Sequence, residues 1–179
     1  MRVHFRALIS GQSSQLIALK LTGWTRGIQW RLEYFRDLTP TFDESGSAQA
    51  DEVLGRAGLV VVATSAGESV VVDRQLRADA TVLAVGAHTV DTRELHEDVL
   101  RGAQVIVEDV GAARREAGDV AIAVEKGALA WDDVVTMAEV VRGEVALDPA
   151  RRAVFKTVGM PWEDLAVARA VARQVQTGP

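Results

Sequence analysis

The chain has no cysteine, four prolines and only 5% aromatic residues in 179 positions. Without cysteine there is no disulfide framework and no thiolate to act as nucleophile or metal ligand, a composition that fits a reducing compartment. Clustered positive charge is missing as well. The net charge is −5, and apart from Arg114-Arg115 and Arg151-Arg152 no cations stand together, which argues against a surface that neutralises nucleic-acid phosphates. No apolar run approaches the ~20 residues of a bilayer span. The first six residues lack the apolar core and small-residue cleavage site of a secretion signal, so no membrane partner and a cytoplasmic location are expected. Neither an H-x-x-x-H pair nor an acidic cluster is present, so no metal site is expected. Long linkers, repeats and low-complexity tracts are absent too.

What remains is a chain with 48% hydrophobic and 25% charged residues, ordinary for an α/β protein. Its length suffices for one domain, residues 1–179, burying roughly 70% of its unfolded surface without disulfides or metal. Apolar runs with period-two alternation or short continuous character predict strands over 5–9, 28–35, 59–63, 81–85, 104–107 and 154–157. Helical spacing predicts helices over 15–21, 48–56, 92–101, 110–116, 120–126, 131–141 and 161–176, with Asp132 or Asp133 favouring one N-terminus and Pro161 suited to the first turn of another. Alternating strands and helices imply an α/β fold with a doubly wound, mostly parallel, Rossmann-like sheet.

Three of these strands end abruptly in small or polar residues: Val60-Val61-Val62-Ala63-Thr64-Ser65, Leu83-Ala84-Val85-Gly86-Ala87-His88-Thr89-Val90-Asp91-Thr92-Arg93-Glu94-Leu95, and Val154-Phe155-Lys156-Thr157-Val158-Gly159. Buried parallel strands deliver such ends to a ligand crevice. After the first strand, Ser10-Gly11-Gln12-Ser13-Ser14-Gln15 stands where a dinucleotide fold carries its glycine-rich phosphate loop. Ser13 takes the place of the second glycine, which normally lets the backbone approach the pyrophosphate, so close approach here requires the serine hydroxyl to supply a phosphate contact. A turn that binds nothing is the alternative. A serine nucleophile elbow is set aside, because its final glycine is missing and His88 and His96 come too early for that triad's order. Asp37 lies where an acid would bind the adenosine ribose 2′-hydroxyl, while adjacent Arg36 suits a 2′-phosphate. Both equally well begin a polar turn before Thr39-Pro40, and NAD versus NADP stays open.

Together the three strand-end segments resemble the ornithine cyclodeaminase/mu-crystallin family, whose members carry an A-T-x-S turn, a V-G-A/S-x-x-P-x-x-R-E-L turn and a late F-K-S-V-G segment in this order. The likeness runs from about Leu59 to Val175. It implies an NAD(P)-binding protein, an oxidoreductase or deaminase-type enzyme acting on a small amino or imino acid. Gly11, Gln12, Ser13, Ser14, Gln15 and Asp37 would then bind the cofactor from the first half, and Thr64, Ser65, Val85, Gly86, Ala87, Thr157 and Gly159 from the strand-end turns. Satisfied turn hydroxyls are the other reading of Thr64 and Ser65. Lys156 either contacts an anion or caps a strand edge.

His88 is expected either as the proton donor in reduction of an imine or as a turn histidine bonded to backbone. In the resemblance an aspartate stands there in ornithine cyclodeaminases, so the imidazole disfavours ornithine cyclisation. Arg93, Glu94 and His96 are read as the solvated start and face of the following helix. The family also implies roughly a hundred residues ahead of the phosphate loop, a substrate-binding half with which this chain does not begin. The expectation is therefore a homodimer covering the apolar surface left on the sheet, and the competing reading is a non-catalytic nucleotide-binding or interaction domain.

Overall fold

The computed structural model describes residues 6–8, 19–22, 31–34 and 51–177. In chain order its strands are β1 (Arg6–Leu8), β2 (Leu19–Thr22), β3 (Arg31–Tyr34), β4 (Leu59–Val62), β5 (Thr81–Ala84), β6 (Gln104–Val107), β7 (Val135–Thr136) and β8 (Ala153–Lys156). Helices are α1 (51–56), α2 (Glu97–Leu100), α3 (Val110–Glu116), α4 (Gly118–Glu125), α5 (Met137–Val141) and α6 (Pro161–Thr177). Six strands form one sheet in the order β1-β4-β5-β8-β6-β7. Every pair in it is parallel. The last strand is thus inserted between β5 and β6, in the middle of the sheet.

Strand alternation sets the core. Val60, Val62, Val82, Ala84, Val105, Val107 and Val154 point to one face and are at most 1% exposed. They form one cluster with Leu95, Val99, Leu100, Ala113, Ala117, Val120 and Ala123 from α2–α4 and the turn before them. On the opposite face Val61, Leu83 and Phe155 are half-buried. The valine-rich strands follow directly from the β-branched runs, whose side chains pack well on a pleated surface. Asp109 caps α3 by accepting from the Ala112 N–H at 2.7 Å. None of the described helices is long and apolar enough to cross a membrane.

Three expected elements differ. Residues 15–21 read as a helix, yet Leu19–Thr22 is strand β2, antiparallel to β3 with Leu19 opposite Tyr34. A short apolar run does not distinguish helix from strand, and the alternating partner 31–34 decides it by supplying ladder bonds. As a result β3 pairs with β2, not within the parallel sheet.

The expected helix over 92–101 shrinks to α2, because the segment before it is drawn inward. The Val71–Leu95 bridge and the His96 N–H on the Val71 carbonyl (2.9 Å) hold it extended, and His96 becomes the helix cap. The helix expected over 131–141 is instead a 3-10 turn at Trp131–Asp133, strand β7 and α5. Two interactions outcompete helical continuity. Val135 and Thr136 join the sheet beside β6, and Thr136 and Glu139 form a reciprocal capping box that restarts the helix at Met137.

Candidate functional site

Because β4, β5 and β8 are neighbours, their C-terminal ends lie side by side, which brings together Thr64-Ser65, Val85–His88 and Thr157–Gly159. Thr64 is buried at 5% exposure, whereas Ser65 and Val85 are exposed and Ala87 is buried. Gly11, Gln12, Ser13, Ser14, Gln15 and Asp37 lie outside the described residues.

A carboxylate that sequence reasoning assigned to a solvated helix start organises two of these turns. Glu94 is 0% exposed. Its Oε2 accepts from the Gly86 N–H at 2.6 Å, and its Oε1 accepts from the Thr64 N–H. One side chain therefore ties the turn after β4 to the turn after β5. The Thr64 hydroxyl in turn accepts from Ala66 N–H at 3.3 Å. Gly86 is needed for this closure: a Cβ there would stand 2.0 Å from the Thr64 carbonyl oxygen and 2.4 Å from Glu94 Oε1. The close approach that requires glycine at this position is thus that of the neighbouring turn.

Beneath Glu94 runs a buried ionic chain. Asp119, at the start of α4, accepts the backbone N–H groups of Glu94 (2.7 Å) and Leu95 (2.8 Å) through one oxygen. Its other oxygen faces Lys156 Nζ at 3.5 Å, an ion pair without a hydrogen bond, with both side chains fully buried. Lys156 Nζ also donates to the Ala84 carbonyl at 3.4 Å. The expected strand-edge or open-crevice position of Lys156 is thereby corrected, since β8 is a central strand and the residue's alternation sends the amine under the sheet's end. Burial pushes the Asp119 carboxyl above its ordinary range and the Glu94 charge adds to this, against Lys156 and the two backbone N–H groups.

The third turn has its own carboxylate. Glu108, just past β6, accepts from the Thr157 hydroxyl and from the Val158 (3.0 Å) and Gly159 (3.1 Å) N–H groups. Gly159 adopts a left-handed φ of 79°, which suits glycine. The amides and hydroxyl of this turn are committed to Glu108. Of the three carboxylates only Glu94 lay in a segment that the sequence singled out, as the acid of the R-E-L segment; nothing in the sequence pointed to Asp119 or Glu108.

His88 is exposed, with Nδ1 3.0 Å from the Gly86 carbonyl oxygen. A carbonyl only accepts, so Nδ1 carries the hydrogen and Nε2 is left free. Of the two roles expected for His88, the backbone bond is therefore present. Behind the turn, Gly118 abuts the Thr89 and Thr92 carbonyls, where a Cβ would meet the latter at 1.9 Å. Among the described residues no group of three His, Cys, Asp or Glu side chains converges to hold a metal ion.

Next to the crevice, Glu97 gathers Arg93 and Lys126 (3.0 Å). Burial works against its ionisation, but its own backbone N–H, Lys126, Arg93 and His96 prevail and hold it at about 2. A folded-state value below the unfolded 4.5 gives stability that is present above 4.5 and lost as pH falls toward about 2. Glu97→Gln is accordingly expected to lower the urea midpoint at pH 7 and to fall less far below the parent at pH 3, which denaturation at the two pH values will check.

A family model described as the ornithine cyclodeaminase/mu-crystallin family matches residues 32–178. Among relatives, the chain is 36% identical to Delta(1)-pyrroline-2-carboxylate reductase 2 of Burkholderia ambifaria over 110 residues, 62% of this chain and 33% of the relative. It is 32% identical to the ketimine reductase mu-crystallin of Mus musculus over 124 residues, 69% of this chain and 38% of the relative. The fold is similar to that of Thermococcus litoralis Delta(1)-pyrroline-2-carboxylate reductase in complex with NADH and L-proline, with a TM-score of 0.66 and 27% identity over 72% of this chain and 41% of that one. The chain thus spans well under half the length of these relatives. With the family model matching from residue 32 to residue 178, across all three strand-end turns, the chain belongs to the ornithine cyclodeaminase/mu-crystallin family.

Proposed function

We propose that this chain binds NAD or NADP across the C-terminal ends of β4, β5 and β8 and serves the reduction of a small cyclic or open-chain imino acid. The observation that carries the reading is the side-by-side placement of the three family turns at one end of a parallel sheet. The reaction class comes from relatives named as pyrroline-carboxylate and ketimine reductases. Exposed Ser65 and Val85 would hold the cofactor, together with the Thr157–Gly159 turn that Glu108 shapes. A reduced nicotinamide held there would supply the hydride for reduction of an imine carbon. His88 then provides the proton that the imine nitrogen needs: with Nδ1–H held by Gly86, Nε2 donates as imidazolium. The reading includes a cytoplasmic location and a homodimer, and the homodimer is supported by Trp162, Leu165, Val167 and Val171, which leave α6 with large apolar side chains more than half exposed.

Titration with NADH and NADPH, followed by fluorescence, tests it. Saturable binding is expected, and Ser65→Trp should abolish it by filling the crevice rim. His88→Gln should leave cofactor binding intact and lower imine reduction by roughly 10²-fold or more. Binding without turnover of pyrroline-2-carboxylate would favour the non-catalytic nucleotide-binding reading, and no binding at millimolar cofactor would overturn both.

A further inference from the structure

Two turns that follow separate strands have no covalent reason to keep a set spacing. In this protein they share one carboxylate. We propose that Glu94 is a positioning residue of the crevice: its side chain, inserted between the turns after β4 and β5, sets their separation and peptide orientation, and through them the affinity for the dinucleotide. The effect on affinity rests on the proposed cofactor site; the positioning itself does not.

Four observations converge. Glu94 is wholly buried, so its carboxylate is not a solvating group. Its two oxygens divide between two turns, Oε1 to Thr64 N–H and Oε2 to Gly86 N–H, each a charge-assisted bond. Its backbone is itself fixed, since Asp119 accepts the N–H groups of Glu94 and Leu95, and the Glu94 carbonyl accepts from Val70 (2.8 Å) and Val71 (3.1 Å) N–H. Finally, Gly86 has no side chain where one would collide with Thr64 and Glu94, so the turns can close on this group.

The bonded amides point inward, and what the turns then present outward is the Ser65 hydroxyl, the Val85 side chain and His88, whose ring is hung on the Gly86 carbonyl. A shift of the Gly86 peptide thus moves a cofactor wall and the imidazole together. Displacements of about 1 Å in such walls are worth up to 10²-fold in binding or rate.

Glu94→Gln is the direct test, because it keeps the volume while its amide group must turn an N–H toward one of the two backbone donors. The expected result is a folded protein whose NADH dissociation constant rises about tenfold or more, and whose Thr64 and Gly86 amides exchange hydrogen faster than in the parent. Exchange at Val82 and Val154, in the sheet, should stay slow. A structural role alone would lower the melting temperature and leave the dissociation constant, measured well below the transition, unchanged. That outcome overturns the proposal. If the parent itself fails to bind NADH, the cofactor reading fails, and Glu94 is judged by exchange alone: unchanged Thr64 and Gly86 rates in Glu94→Gln would overturn it. Should the variant not fold, the parent still decides. Thr64 and Gly86 amide protons shifted downfield and protected support the two bonds, and ordinary shifts with fast exchange exclude them.

Discussion

Gly86→Ala should destabilise the fold by about 3 kcal/mol, the upper range for forcing a methyl into filled space. The added carbon would lie 2.0 Å from the Thr64 carbonyl oxygen and 2.6 Å from the Thr64 nitrogen. Neither is a flexible side-chain end that moves aside cheaply. The turn after β4 must retreat, and with it go the bonds from Thr64 and Gly86 to Glu94. The effect comes from space and not from backbone conformation, since Gly86 is not among the glycines with positive φ. Gly67→Ala, at a position with nothing within 4 Å, is the matched control and should lose nothing. Urea midpoints of the two variants against the parent check this; equal midpoints for Gly86→Ala and Gly67→Ala would show that the turns are not in contact.

Lys156→Met is the second large effect. It removes the cation facing Asp119 and leaves a carboxylate at 0% side-chain exposure with only two backbone N–H partners. Breaking one side of a buried pair typically costs about 3–5 kcal/mol. Adding Asp119→Asn should recover part of the loss, because the uncompensated charge disappears. A double-mutant cycle measures that recovery.

The pH dependence gives an independent check. Burial raises the folded Asp119 value above its unfolded 3.8, so this group's contribution is present below 3.8 and is lost as pH rises through the folded value. The penalty of Lys156→Met is therefore expected to be greatest near neutral pH and to shrink on acidification, in the same direction as the Glu97→Gln penalty, although the two carboxylates' own contributions to stability change with pH in opposite senses. A penalty that does not change between pH 7 and pH 4 would contradict a charged, buried Asp119.

Much of the architecture was legible along the chain. The strands over 59–63, 81–85, 104–107 and 154–157 and the helices over 110–116 and 161–176 rest on apolar runs long enough, or caps strong enough, to act locally. The family turns at Thr64, Gly86 and Thr157 were legible for the same reason, since each is an abrupt change from β-branched to small and polar residues. Residues 15–21, 92–101 and 131–141 were misread where a partner distant in sequence outweighed local preference. Leu19–Thr22 answers to Arg31–Tyr34, residue 95 to residue 71, and residues 135–136 to residues 106–107.

The site divides in the same way. Exposed Ser65, Val85 and His88 were nominated by the family resemblance of turns that end an apolar run, which is legible along the chain. Glu94, Glu108 and Asp119 were not, because an acid looks the same along the chain whether it meets water or two backbone amides. By itself the sequence determined the alternation of strands and helices, the valine-rich sheet core and the family to which the chain belongs, since these depend on neighbours a few residues apart. Only the tertiary structure decided that Lys156 is buried in a central strand, that Gly86 is empty so Thr64 can close on it, and that Glu94 and Glu108 hold the crevice turns. Except for Glu94 with Gly86, eight positions apart, those contacts join residues 22 to 72 positions apart in the chain, and a contact across that separation exists only once the sheet has brought its strand ends together.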